Sequence, residues 1–197
     1  MRLIRLVLFA TTLVIPAPVS AQTTQTAAEF GPDGAYLTAP VREAVAKARA
    51  DEFLKTADTL QFSPRETKLV TEGLRTRTLK APSNYEFAGL HGGTFETPEG
   101  RVDANAEQRQ SIQKTMLFVP KATFFQKYAV IHVGVIPAPP RDYKVVINGE
   151  ECPATDVSTY KVLPGKATVA VSRSGKTPCT WTGSVSSAKQ EEVQCKL

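Results

Sequence analysis

The chain has 197 residues, of which 42% are hydrophobic and 22% charged, and its formal charge at pH 7 is +5. Lysine and arginine residues are scattered among acidic ones, so the positive charge forms no concentrated stripe of the kind that binds nucleic acid. No stretch beyond residue 21 is apolar enough to cross a bilayer, which excludes an integral membrane span in the mature protein.

Residues 1–21 have the pattern of a secretory signal peptide. Arg2 and Arg5 precede an apolar run at residues 6–15, and small residues follow. Val19 and Ala21 suit the −3 and −1 positions that a signal peptidase reads, which predicts cleavage after Ala21. The apolar run is half of the roughly 20 residues that a membrane-spanning helix needs. We therefore expect a bacterial protein of the periplasm or the medium, with 176 residues and a formal charge of +3 after cleavage.

Two segments of different character follow the predicted cleavage point. Residues 22–38 are rich in Thr, Gln, Ala and Gly and contain a turn-forming cluster at 31–34, which predicts a flexible leader. Residues 40–60 are helix formers whose apolar side chains recur at helical spacing, and their charges alternate in sign, as on a solvated face.

A second helix is predicted where Ser63 and Glu66 form a capping-box pattern, with Pro64 at the first helical position. We expect this helix to end near Gly73. Residues 74–79 alternate with period two, so a strand beginning there is the alternative.

The middle of the chain predicts short β-strands. Aromatic residues alternate with glycines over residues 85–100, and residues 103–110 are polar enough for a loop or a brief helix. Apolar residues return at 116–119 and 123–125, which predicts two more strands around Pro120. With the helices before it, this gives an N-terminal region at residues 39–127.

Residues 128–197 predict an antiparallel β-sandwich. In residues 128–136 the set Ala129, Ile131, Val133 and Val135 is consistently apolar and is expected to face the core. Further short strands are separated by turn-forming pairs such as Asn148-Gly149 and Ser174-Gly175. The predicted fold class is α+β, with short N-terminal helices, a β-rich region and a C-terminal sandwich of immunoglobulin-like type.

The last 70 residues resemble a PEGA domain in their order of strands and turns. A strand at 133–137 ends in proline, Ile147-Asn148-Gly149 closes the next, and Leu163-Pro164-Gly165 precedes the strand at 169–171. The tetrapeptide that names the family is absent. The resemblance implies a compact extracytoplasmic module without catalysis.

If that strand order holds, Cys152, Cys179 and Cys195 lie toward one end of the sandwich. An oxidising compartment then permits one disulfide and leaves one thiol. We favour Cys179 with Cys195, because their strands are expected to form a hairpin and share in-out parity with Trp181. Cys152 with either of the others is the alternative.

Two motifs that suggest chemistry lack their required context. Residues 170–177 fit a relaxed phosphate-loop pattern, but Pro178 and β-prone residues follow where a helix is needed, so we expect a hairpin turn and no nucleotide. His91-Gly92-Gly93 is similar to the oxyanion stretch of some esterases, yet the sequence contains no G-x-S-x-G nucleophile motif. The sequence contains no CxxC pair, so we expect no metal site and no cofactor.

The sequence therefore favours a non-catalytic extracytoplasmic module that engages a cell-envelope glycan or a partner protein. The candidate binding surface consists of His91 and four aromatic residues, which are Phe118, Phe124, Phe125 and Tyr128; core packing is the alternative for the aromatic residues. Alternative functions are a hydrolase with a degenerate site near His91 and a periplasmic inhibitor or chaperone-like protein.

Mass spectrometry of the exported protein tests both the cleavage and the disulfide. We expect a chain that begins at Gln22 and, in denaturant, takes up one alkyl group without reductant and three after reduction, because two of the three thiols are oxidised. Three alkyl groups without reductant would contradict the disulfide, and an intact leader would contradict the export.

Overall fold

The computed structural model describes residues 29–81, 93–118, 121–136, 142–154 and 156–197. The predicted signal peptide and His91 lie outside the described residues. Four helices and ten strands are present in the described ranges, which confirms the predicted α+β class. In chain order they are β1 (Tyr36–Leu37), α1 (Ala39–Ala57), α2 (Pro64–Thr76), β2 (Gly93–Thr97), β3 (Gly100–Ala104), α3 (Ala106–Met116), α4 (Ala122–Phe125), β4 (Ala129–Ile136), β5 (Tyr143–Ile147), β6 (Glu150–Cys152), β7 (Thr159–Val162), β8 (Gly165–Arg173), β9 (Cys179–Val185) and β10 (Gln190–Lys196). None of the helices in these ranges is both long and apolar enough to span a membrane.

Helix α2 begins at the predicted capping box and runs past its predicted end. The Glu66 amide donates to Ser63 Oγ at 3.3 Å, and the Ser63 amide donates to the Glu66 carboxylate at 2.8 Å. The helix continues to Thr76 and ends at Arg77, whose φ of 59° is left-handed. The alternative strand at residues 74–79 is therefore wrong, because the amides of Thr78 and Leu79 donate to the carbonyl of Gly73 and close the helix end.

The two strands predicted around Pro120 are also wrong. Asn105 and Gln108 form a second capping box that begins α3. This helix occupies the chain as far as Met116 and buries Ile112. Residues 122–125 form the short helix α4. Helices α1, α2 and α3 and the hairpin β2–β3 enclose one hydrophobic core, and we call these elements the N-terminal unit.

Two four-stranded sheets share a second core and form the sandwich. One sheet has the order β6-β5-β8-β9 and is antiparallel throughout. The other has the order β1-β7-β4-β10, and its β1–β7 and β10–β4 pairs are parallel, so the prediction of antiparallel strands is wrong for these two pairs. Ala129, Ile131 and Val133 of β4 are buried, as predicted. Strands β8 and β9 form the hairpin expected at residues 170–177.

Part of the leader predicted at residues 22–38 is buried, namely residues 35–38. A turn at Gly31 and Gly34 reverses the chain, since the Gly31 amide donates to Ala35 and the Gly34 amide donates to Gly31. Tyr36 and Leu37 then pair with β7 and are 5% and 1% exposed. The flexible-leader prediction is wrong for these residues, because two large side chains placed after a tight turn are enough to add an edge strand.

The disulfide between Cys179 and Cys195 is present, although the predicted hairpin between their strands is not. Strand β9 belongs to the antiparallel sheet and β10 to the mixed sheet. The bond therefore links the two sheets along one side of the sandwich. Both cysteines share the inward direction of their strands, as the parity with Trp181 indicated.

Glu150 joins the sandwich to the start of α1. Its carboxylate accepts a hydrogen bond from the Ala39 amide at 2.7 Å and from the Tyr36 hydroxyl at 3.2 Å. It also forms an ion pair with Arg42 at 3.0 Å, and the two side chains are 21% and 14% exposed. Arg42 donates further to the Tyr36 hydroxyl and to the Leu37 carbonyl. We call these contacts the Glu150 junction.

Glu150→Ala is expected to lower the free energy of unfolding by about 2 kcal/mol, because it leaves a largely buried guanidinium without its anion. The neighbouring Glu151→Ala removes only an exposed ion pair with Lys144 and should cost less than about 0.5 kcal/mol. Urea unfolding of the two variants measures the difference. Equal midpoints would show that the junction does not stabilise the fold.

Candidate functional site

The structure separates the residues of the predicted binding surface. Phe124, Phe125 and Tyr128 form one cluster, with ring centroids 5.4 to 6.4 Å apart. Phe125 and Tyr128 are 4% and 3% exposed and pack against residues of β1 and α1. The structure thus places both in a core between the N-terminal unit and the sandwich, where they offer no open face to a ligand.

Tyr128 is also held in that core with its polar end enclosed. Its hydroxyl has no hydrogen-bond partner among the described residues. Burial raises the pKa of this hydroxyl, so the phenol stays neutral. The Lys127 ammonium lies 3.7 Å from the centroid of Phe124, which leaves that half-buried ring covered by a cation.

Phe118 lies apart from the cluster, beside a groove between α1 and α3. Its carbonyl accepts a hydrogen bond from Arg49 Nε at 2.9 Å. The groove has a volume of about 390 Å³, and its polar lining includes Thr56 and Ser111, whose hydroxyls are 3.4 Å apart. Of the predicted surface, therefore, Phe118 lines a groove.

A second cavity, which the sequence did not predict, lies beside the N-terminal half of α1. Its volume is about 590 Å³, and three of its lining residues are arginines. We call it the arginine cavity. Its lining residues are Glu29, Arg42, Val45, Arg49, Gly73, Leu74, Thr76, Arg77, Leu79 and Met116.

Local structure explains how the three arginines reach one cavity. Arg42 and Arg49 are seven positions apart on α1, with Val45 between them, so all three lie on one stripe of the helix. Arg77 comes from the left-handed turn that ends α2. Gly73 allows this helix end to lie close, since a Cβ there would be 2.9 Å from Thr97 Cγ2 and 3.0 Å from Leu79 Cβ.

The three guanidinium groups differ in how their charge is balanced. Arg42 is paired with Glu150, although its Nε is buried without a partner among the described residues. Arg49 is half-buried, and its hydrogen bond goes to a neutral carbonyl. Burial lowers the pKa of its guanidinium. The described residues provide no ion pair for Arg49 or Arg77, and only Glu29 among the described lining residues is acidic.

The sequence contains a partial signal for this cavity. The arginine spacing on α1 is visible in the sequence, but the alternating charges of that helix are typical of a solvated face. Arg77 could not be added to them, because its position depends on where α2 ends. No group of three or more His, Cys, Asp or Glu residues that could hold a metal ion occurs in the described part of the chain.

Comparisons of the sequence with protein families and with curated proteins found no match.

The remaining thiol, Cys152, is buried in the sandwich core. Burial, with a smaller contribution from Glu150, raises the pKa of this thiol to about 12. At pH 8 the folded thiol should therefore carry about a thousandfold less thiolate than an unfolded one and resist iodoacetamide. Equal alkylation rates with and without denaturant would contradict this expectation.

The same shift predicts how stability depends on pH. The unfolded thiol ionises near its ordinary pKa of 9.0, whereas the folded thiol keeps its proton to about 12. The stabilising contribution is thus complete below pH 9 and is lost as the pH rises toward 12. Unfolding curves should show a steeper loss above pH 9 in the wild-type protein than in Cys152→Ala.

Proposed function

We propose that the protein is a non-catalytic binding module of the bacterial cell envelope that holds an anionic group of its ligand in the arginine cavity. The observation that carries the proposal is Arg49, a half-buried guanidinium whose hydrogen bond goes to a carbonyl and which has no ion pair within the described ranges. Arg77 lines the same cavity without an ion pair there.

The energetics of a buried guanidinium support an anionic ligand. Removing a cation from water without supplying an anion costs free energy. Arg49 is such a partly desolvated cation, since burial lowers the pKa of its guanidinium. A carboxylate or phosphate oxygen in the cavity would restore the balance through charge-assisted hydrogen bonds.

The chemistry of the lining favours recognition over catalysis. Arginine keeps its proton at every physiological pH, so it cannot act as a general acid or base near neutrality. Most other lining side chains are apolar or hydroxyl-bearing. The predicted partners, an envelope glycan or an envelope protein, would then have to present an anionic group to this cavity.

The hydrolase alternative depends on His91, which lies outside the described residues. It stays a prediction, and a His91→Ala variant in a broad hydrolase screen would test it.

Cosedimentation with isolated bacterial envelopes tests the proposal. We expect the wild-type protein to sediment with envelopes at low salt and to be released as salt is added, because screening weakens contacts between charges. Arg49→Met should weaken the association by about tenfold or more, which is the usual effect of losing a charge-assisted hydrogen bond.

The matched control is Lys47→Met. This variant removes the same charge from the same helix, but Lys47 is exposed and does not line the cavity. Equal sedimentation of the Arg49 and Lys47 variants, or no sedimentation of the wild-type protein, would contradict the proposal.

A further inference from the structure

The arginine cavity has an apolar side as well as a charged one. Val45, Leu74 and Leu79 are buried residues that line it, and Met116 at the end of α3 is half-buried there. These side chains cannot form hydrogen bonds with a ligand, so they contribute to binding only through contact with its apolar atoms. An inorganic anion or a fully hydroxylated group would leave this side of the cavity without a complement.

The net charge of the lining residues indicates the net charge of the ligand. Arg42 is neutralised by Glu150, which leaves the positive charges of Arg49 and Arg77. Glu29 contributes one negative charge. The balance is a single positive charge, which one negative charge on the ligand would neutralise.

We infer that the ligand of the arginine cavity is an amphiphilic monoanion, a carboxylate joined to an aliphatic chain. This inference rests on the proposed function and adds the chemical class of the ligand. The carboxylate is bound by Arg49 and Arg77, and the chain lies along the buried side chains of α1, α2 and the residues that follow α2. The volume of about 590 Å³ is within the roughly 300–1,000 Å³ of small-molecule cavities.

Three probes test separately how the charged head and the aliphatic chain of the ligand contribute to binding. Octanoate carries the head and the chain, acetate only the head, and 1-octanol only the chain. Titration calorimetry at pH 7, below the micelle concentration, should show octanoate binding at least tenfold more tightly than either of the other two. Equal affinity for acetate and octanoate would overturn the apolar part of the inference, and equal affinity for octanol would overturn the anionic part.

Three variants and one control variant assign the binding to this cavity. Arg49→Met should weaken octanoate binding at least tenfold, while Lys47→Met leaves it unchanged. Met116→Gln keeps the size of the side chain but makes it polar, so it should weaken octanoate several-fold and leave acetate unchanged. Glu29→Gln removes the single acid of the described lining and should tighten octanoate several-fold. Circular dichroism confirms that each variant is folded.

The experiments distinguish a failure of the proposed function from a failure of the inferred ligand class. If envelope association depends on Arg49 but octanoate binds no more tightly than acetate, the ligand class is wrong and the proposed function stands. If octanoate binds with equal affinity to the wild-type protein and to Arg49→Met, the inference is overturned. If neither envelopes nor any probe distinguishes Arg49→Met from Lys47→Met, both are overturned.

Discussion

The carboxylate of Glu150 determines how the two halves of this protein meet. It accepts from the first amide of α1 and pairs with Arg42 one turn later, so it fixes both the start and the rotation of that helix. The rotation directs the stripe of Arg42, Val45 and Arg49 into the arginine cavity. A half-buried carboxylate on a short edge strand thereby positions residues of another element, and Arg42 is paired at the junction whereas Arg49 has no ion pair among the described residues.

The parts of the fold that depend on neighbouring residues could be predicted from the sequence. Ser63 and Glu66 are three positions apart, and their capping box formed as expected. Asn148 and Gly149 both adopt positive φ, of 51° and 85°, as a two-residue hairpin turn requires. Pairing between distant strands was not predictable in this way. Tyr36 of the edge strand β1 pairs with Tyr160 of β7, more than a hundred residues later in the chain. No local sequence pattern predicts that pairing.

In the candidate site, too, features of neighbouring residues could be predicted from the sequence, whereas contacts between distant segments could not. The aromatic residues near Phe124 were correctly grouped by sequence, but only the folded chain shows that Phe125 and Tyr128 are enclosed. The disulfide between Cys179 and Cys195 is confirmed, and so is the inward parity of both residues, but the expected hairpin is not, since parity along each strand is local whereas membership of a sheet is not. The cavity was missed because Arg77 reaches it from a helix end that lay three residues beyond the expected one.

The position of β10 affects the order in which the protein can be assembled. This strand contains the last residues of the sandwich, yet it pairs in parallel with β4, the first long strand of the sandwich. The mixed sheet therefore keeps an open edge until residues 190–196 are available, however early the rest of the chain is made. Non-local pairing of this kind is slow and delays the cooperative step. The mixed sheet is therefore completed only after strands β5 to β9, which lie between β4 and β10 in the chain, have been made.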